Sequence, residues 1–578
     1  MRHDRSRCAA RAREAALTGE RPLAQHPPIA APGSPMSEPL PANFPRTLAG
    51  VLEHLARLRP HHPAVMCEGR TVTYGELRDT ARAVARSLLA LGVRPGERVG
   101  ALLGNHPEWL AMALGTAYVG AVFVPLNTWY KRAELEWTLR HCGVSCLVAT
   151  ERFLKQDFAA LLAQMLPGLE RGGAGALRID GFPSLRTVAI VGRPVPGALD
   201  WDGFLALGGG RPEAEVDAAL ARVGAGDLAY ILYTSGSTAD PKGVTLAHGG
   251  VVANGWDMAV RRRVDGDDRV WIGSPLFYGL GATNAWPVAL SRGATVVLQG
   301  AFDAGRAIET FERTRATVYY GTGNMTLAIL DHPSYSKAKV GSLKKGNAGI
   351  SAEYKRLTLV EMGMTLACGA YGLTESYGQA AVHDADDPVD VKIATCGPPL
   401  PGMELAIVDP ASGAPLPAGE VGLVLLRGHV TPGYYRNDEE NRRTLRADGW
   451  FDTGDLGSLN ADGHFLFHSR IKEVIKTGGI NVSPIEVEAL LGTHPDIRDA
   501  HVVGVPDPRR GQLIVAFVDA RAALTEQAVR EYVRERAASF KVPHHVLFRA
   551  AEGLPRLASG KVGRVQLVED AIRALGSG

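Results

Sequence analysis

Six cysteines in 578 residues leave little to staple a fold with, and none falls in a CxxC spacing. A disulfide framework, a zinc ribbon and a thioredoxin-type redox motif are therefore excluded, and a reducing, cytoplasmic setting fits. Cys142 and Cys146 read as buried thiols beside a strand, with a redox pair as the alternative. The chain also lacks an excess of charge: 63 Lys and Arg stand against 61 Asp and Glu. Basic residues are scattered apart from the N-terminus and Arg261 to Arg263, which argues against nucleic acid as a main partner. No GxxxxGK[ST] loop is present, because Gly560 and Lys561 are followed by Val562.

The first forty residues lack the apolar core of a secretory signal. They carry Arg2, Arg5, Arg7, Arg11, Arg13 and Arg21 before a Pro-rich stretch, and residues 1–40 read as a disordered leader. An organellar targeting peptide, disfavoured by Asp4, Glu14 and Glu20, and a start at Met36 are the alternatives. One run, "WLAMALGTAYVGAVFVPL" over 109–126, has 18 residues without a charge and meets the length rule for a membrane span. Gly115, Gly120 and Pro125 interrupt it, so a buried helix running into a strand is expected.

What is present is apolar content of 46%, enough for a large core and roughly two to four domains. Over 73–93 Leu77, Ala81, Val84, Leu88 and Leu91 share one helical face, and "GERVGALLGN" follows as a strand. Helix and strand signals alternate to about residue 330, predicting parallel sheets covered by helices. After Gly397 short strands and turn residues predict a small β-rich subdomain. Beyond Arg470 a mixed segment of about a hundred residues is long enough for its own core.

The stretch "ILYTSGSTADPKGV", residues 231–244, sets hydroxyls, glycines and a lysine together, the three kinds of group that hold phosphate. Residues Tyr233 to Val244 resemble the phosphate loop of the adenylate-forming ligase superfamily, acyl- and aryl-CoA synthetases among them, with pattern YTSG[ST]TGxPKGV. Ala239 departs from the family's glycine, which predicts a local adjustment of the turn. "YGLTE" (Tyr371 to Glu375), "WFDTGD" (Trp450 to Asp455), "SRIKEVIKTGGINVSPIEVE" (Ser469 to Glu488) and "PRLASGKVGR" (Pro555 to Arg564) resemble the remaining family motifs, in the family's order.

The resemblance implies an α/β multi-domain fold. A large N-terminal adenylation domain over 41–469, with two parallel-type α/β subdomains and a small β-rich one, would precede a mobile α+β domain over 470–578. It implies an acid–thiol ligase using ATP, Mg²⁺ and coenzyme A. Thr234, Ser235, Gly236, Ser237, Thr238, Lys242, Ala348, Gly349, Ala370, Tyr371, Gly372, Thr374, Asp455, Arg470 and Lys561 would bind nucleotide. Tyr371 would stack on adenine, Thr374 bind the α-phosphate, and Asp455 and Arg470 hold the ribose. Thr238 and Glu375 would hold the metal, and with Lys561 form the catalytic set. Lys472 would be the hinge, and Lys476, Gly478 and Gly479 would meet coenzyme A. Gly369 and Ala370 stand where the family often has an Asn or Asp near the adenine, so backbone carbonyls would serve there.

The same resemblance places the acyl group among Phe277, Tyr278, Gly281, Tyr320, Gly321 and Met325, beside Asn347 to Ser351. No Asp follows Phe277 to pair with a substrate ammonium, which disfavours an α-amino acid and leaves fatty, alicyclic or aromatic acids. Tyr278 replaces a common His. Coenzyme A is the expected acceptor. The alternatives are a carrier protein or amine in trans, a luciferase-like oxidation, and a non-catalytic nucleotide-binding scaffold; monomer and homodimer both stay open.

Overall fold

The charge-free run divides in the computed structural model into the helix Pro107–Tyr118 and the strand Val122–Pro125, both buried along almost their whole length. Pro107 sits in the first turn, where its missing N–H costs no hydrogen bond. Among the described residues no helix is long and apolar enough to cross a membrane. The partner of this core helix is Tyr74–Ala90, started by a capping box in which Thr73 and Glu76 exchange side-chain-to-backbone bonds. Gly115 lets the two helices touch: a Cβ there would lie 2.4 Å from Val84 Cγ1 and 2.8 Å from the Ala81 carbonyl.

The described residues are 38–234, 241–477, 480–507, 510–537, 539–557 and 562–576, without the side chains of residues 472, 476, 480, 481 and 539. Residues 1–37 of the expected leader lie outside them, as do Ala239, Gly478, Gly479 and Lys561.

Two eight-stranded sheets carry the larger part of the chain. In the first, the neighbouring strands Cys368–Tyr371, Lys345–Gly349, Val318–Tyr320, Arg269–Ile272, Thr295–Leu298 and Pro63–Cys67 are parallel. In the second, Leu228–Thr234, Val122–Pro125, Arg98–Leu102, Val144–Thr150, Thr187–Val191 and Leu199–Asp200 are parallel. Val144–Thr150 is buried at every position, as a strand covered on both faces must be.

The sheets are mixed rather than wholly parallel, since antiparallel strands close several edges. Arg70–Thr73 folds back on Pro63–Cys67 through Glu68 and Gly69, both at positive φ, the backbone of a type I′ hairpin. Lys242–Ala247 runs antiparallel to both Leu228–Thr234 and Gly433–Tyr434.

The β-rich segment is a four-stranded antiparallel sheet, Met403–Val408, Gly422–Gly428, Phe451–Leu459 and Phe465–Arg470. Beyond it a five-stranded sheet is built from Ile480–Val482, Ile475–Thr477, Gly511–Ala520, Ile497–Asp507 and His545–Phe548. Its apolar clusters draw only on residues from Ile475 onward, so this segment has a core of its own. The helix Arg564–Gly576, which the sequence reading passed over, packs Leu567 and Ala571 into one of them.

Candidate active site

Parallel strands end together, and loops leaving the carboxyl edge of such a sheet form a crevice for ligands. Four adjacent strands of the first sheet release there the segments singled out in the sequence. Gly372 to Glu375 follow Cys368–Tyr371, Ala348 and Gly349 end Lys345–Gly349, Gly321 to Met325 follow Val318–Tyr320, and Phe277 to Gly281 come after Arg269–Ile272. Residues separated by about a hundred positions are thereby brought to one edge. The second sheet adds Thr234 and the Asn127 to Trp129 segment at the carboxyl ends of two adjacent strands.

The residues expected to hold nucleotide centre on Tyr371. Its ring is 2% exposed and braced by Phe465 at 4.4 Å and Phe467 at 5.8 Å between centroids. Its hydroxyl donates to Asp455 Oδ2 at 2.7 Å. Asp455 and Arg470 are register partners on adjacent antiparallel strands, which sets Arg470 Nε 3.3 Å from Asp455 Oδ1. That contact is an ion pair without hydrogen-bond geometry: Asp455 Oδ1 is buried and accepts no hydrogen bond from the described residues. Burial raises the Asp455 carboxyl to about 6, against the lowering pull of Arg470 and the Tyr371 hydrogen bond. A buried acceptor without a donor is the group a sugar diol would satisfy.

Gly372 is required by close approach, since a Cβ would lie 2.3 Å from both Gln379 Cα and the Gly378 carbonyl. Behind the adjoining strand Lys355 and His383 fill the place of a Gly369 side chain. The His383 ring nitrogens face the Gly369 carbonyl at 3.0 Å and Thr395 Oγ1 at 2.8 Å. His383, Asp387 and His464 come close enough to invite a metal reading. The neighbouring Lys355 and Lys392 ammonium groups oppose a further cation, and burial first, then Lys355, lowers His383 to about 3.

The expected phosphate loop joins the two strands of the hairpin in which Thr234 and Lys242 are register partners. Residues 235–240, with Ser235, Gly236, Ser237 and Thr238, lie outside the described residues. Lys242 Nζ contacts Glu440 Oε1 at 2.5 Å, both side chains nearly buried. The Arg443 hydrogen bond, with Lys242 adding to it, holds Glu440 down at about 2, so this carboxylate stays ionised. Tyr434, on the strand beside the hairpin, donates to Glu375 Oε1 at 2.8 Å. Burial and the Glu375 charge raise the Tyr434 phenol, so it keeps its proton and remains the donor. Sequence reasoning missed Tyr434 and Glu440, although the Gly-Tyr-Tyr run after Pro432 was a visible signal.

Among the residues expected to line the acyl pocket, Phe277 is 3% exposed, while Tyr278 is half-buried. Trp129, not foreseen, stands edge-on to Phe277 at 5.5 Å and tilted over Tyr278 at 5.8 Å. Asn127, also missed, donates from Nδ2 to the Tyr278 hydroxyl at 2.9 Å. Gly279 abuts the nucleotide segment: a Cβ there would be 3.1 Å from Thr374 Oγ1. A Cβ on Gly281 would be 2.5 Å from the Pro275 carbonyl. Met325 is half-buried on the helix Gly323–Leu330. Tyr320 is wholly enclosed, its ring under the Arg262 guanidinium at 5.5 Å and its hydroxyl unpartnered among the described residues.

Arg470 ends the β-rich sheet and leads into the turn Ile471–Glu473. The side chains of Lys472 and Lys476 are not described. Arg556 and Val562 form an antiparallel bridge that brackets residues 557–561.

The comparisons with known proteins agree with this geometry. Residues 52–435 match the AMP-binding enzyme family, and residues 486–561 match the AMP-binding enzyme C-terminal domain. The chain is 36% identical over 532 residues to 3-[(3aS,4S,7aS)-7a-methyl-1,5-dioxo-octahydro-1H-inden-4-yl]propanoyl:CoA ligase of Mycobacterium tuberculosis (strain ATCC 25618 / H37Rv), covering 91% of this chain and 99% of that protein. It is 30% identical over 542 residues to the mitochondrial medium-chain acyl-CoA ligase ACSF2 of Rattus norvegicus, with coverage of 91% and 87%. Among solved structures it is similar to the anthranilate CoA ligase AuaEII in complex with anthranoyl-AMP, at TM-score 0.80, 27% identity and coverage of 93% and 99%. It is similar also to ATP-bound MatB from Rhodopseudomonas palustris, at TM-score 0.76, 28% identity and coverage of 91% and 99%. The chain belongs to the AMP-binding enzyme family, in its AMP-forming acyl-CoA synthetase branch, and uses ATP to join a carboxylic acid to coenzyme A through an acyl-adenylate.

Proposed function

We propose that the acid is alicyclic or aromatic and that the residues above divide the two half-reactions as follows. Tyr371, Asp455 and Arg470 hold adenosine, with the ribose hydroxyls donating to the open carboxylate oxygen. Lys242, released from Glu440, meets the phosphates together with Thr234 to Thr238. The acid lies between Phe277, Tyr278 and Trp129 with its carboxylate toward Thr374. An oxygen of that carboxylate attacks the α-phosphorus as the bond to pyrophosphate breaks, and Lys561 screens the charge that accumulates. The thiol of coenzyme A then attacks the acyl carbon, AMP leaves, and the thiol proton passes to solvent. Lys476, Gly478 and Gly479 line the thiol's approach after rotation about Lys472.

Glu375 suits Mg²⁺, being an oxygen ligand whose carboxylate is already oriented by Tyr434. With Thr238 it would hold the ion, which neutralises phosphate charge when bound. The domain limits are proposed as 41–469 and 470–578, supported by the separate core beyond Ile475. A cytoplasmic setting is supported by five described cysteines that are all free and buried.

The observation that carries this reading is the buried Asp455 oxygen without a hydrogen-bond donor beside Tyr371. An alicyclic or aromatic acid is favoured by the aromatic lining and by relatives whose names specify an indenyl propanoyl and an anthranilate CoA ligase. The test is AMP formation from ATP across fatty, alicyclic and aromatic acids, with and without coenzyme A. Thiol-dependent turnover that is fastest with ring-bearing acids is expected. Turnover fastest with unbranched fatty acids overturns the acid assignment. Release that stalls at bound adenylate with coenzyme A present points to a carrier protein or amine as acceptor.

A further inference from the structure

Asn127 makes two hydrogen bonds, and the first fixes the direction of the second. Its Oδ1 accepts from the Trp129 backbone N–H at 2.8 Å, a group that can only donate. The atom 2.9 Å from the Tyr278 hydroxyl is therefore Nδ2, and the phenol oxygen is the acceptor. This leaves the Tyr278 proton without work, and among the described residues no acceptor meets it. Burial raises the phenol's pKa, so the proton is not shed.

Two observations say where that donor acts. Tyr278 and Trp129 are the half-buried members of an aromatic cluster whose third ring, Phe277, is 3% exposed and only 4.7 Å from Tyr278, so the cluster opens on the side of Tyr278 and Trp129. The next residue, Gly279, lies against Thr374, at the junction with the nucleotide segment.

We infer that Tyr278 is a specificity-determining hydrogen-bond donor to the acyl group, and that the site takes a ring-bearing acid with a carbonyl or ether oxygen remote from its carboxylate. The inference rests on the acyl-CoA ligase reading of the site. An acid of the same skeleton without that oxygen expels water from the hydroxyl and leaves it unpaired, and a pocket built to bond an oxygen discriminates against such an analogue.

The experiment compares kcat/KM in matched pairs: cyclohexylpropanoate with its ring-ketone counterpart, and ethylbenzoate with its methoxy counterpart. Wild type is expected to favour the oxygen-bearing member by about tenfold or more. Tyr278→Phe is expected to bring that ratio to about one, because the hydroxyl that separates the two acids is gone, whatever change both acids share. Each ratio is taken within one enzyme, so a loss common to both acids cancels, and should the variant fail to fold, the wild-type ratio decides. A wild-type ratio of one or less, or a preference that survives in Tyr278→Phe, overturns the inference and leaves the ligase reading intact. AMP from none of the acids would overturn both.

Discussion

Asp455 offers a prediction in which stability and binding move in opposite directions. In the nucleotide-free protein its carboxyl is pushed from the usual 3.8 to about 6, chiefly by burial. The folded protein therefore holds this proton more tightly than the unfolded chain. The burden of the buried charge is absent below about pH 4, grows as pH rises through 6, and reaches about 3 kcal/mol above it. Asp455→Asn removes the charge while the amide oxygen still accepts from Tyr371, so the unfolding free energy at pH 8 should rise by about 1–3 kcal/mol. Nucleotide affinity should do the reverse. A hydrogen bond to a charged group contributes about 1.5–3 kcal/mol, so loss of the carboxylate should weaken AMP binding by about 10- to 150-fold. In wild type, only about a tenth of the carboxyl is ionised at pH 5, which predicts about tenfold weaker AMP binding than at pH 7. Calorimetric titration with AMP, beside denaturant unfolding of the free protein, measures both. Equal AMP affinity at pH 5 and pH 7, or a variant that is less stable yet binds AMP as before, would refute the reasoning.

Three further outcomes follow from the same geometry. Tyr434→Phe frees Glu375, and the Mg²⁺ concentration for half-maximal pyrophosphate exchange should rise by about three- to tenfold, with Mn²⁺ titration followed by electron paramagnetic resonance weakening alike; an unchanged metal requirement would dismiss the orienting role. Gly372→Ala drives a Cβ to 2.3 Å from backbone atoms of Gly378 and Gln379, so thermal unfolding should report a loss of about 1–3 kcal/mol, whereas a neutral result would show that the loop gives way. Lys561→Ala should slow adenylation by about 10² or more while thioester formation from pre-made acyl-adenylate survives. Equal losses in both half-reactions would contradict alternation between two poses.

The motifs carry much of the candidate site because the residues proposed for phosphate, ribose and metal fall in short runs rich in glycine, hydroxyl and acidic residues, as around Thr234, Gly372 and Asp455. Helical periodicity likewise located Tyr74–Ala90, and Gly120, at positive φ, marked where the apolar run 109–126 breaks; Gly115, expected to interrupt it too, lies inside the helix Pro107–Tyr118, where it serves close packing instead. Strand order was not legible. Tyr434 lies 59 residues from Glu375 and Asn127 lies 151 residues from Tyr278, so their meeting depends on which strands become neighbours. The antiparallel edges were missed for a related reason: Glu68-Gly69 makes a tight turn without the Asn-Gly or Asp-Gly pair that usually announces one. Tyr320 shows the opposite limit, since alternation along a strand cannot say which of two adjacent tyrosines faces the core when both faces are covered; Tyr319 and Tyr320 are both fully enclosed.

The Phe277 to Gly281 and Gly321 to Met325 segments hang from strands other than the one ending at Tyr371, so under the proposed assignment choice of cargo and grip on the energy carrier rest on different strands. On that assignment the first could be rewritten without loosening the second, as long as Gly279 keeps its narrow footing against Thr374. That contact is where a change of acid would begin to disturb the chemistry.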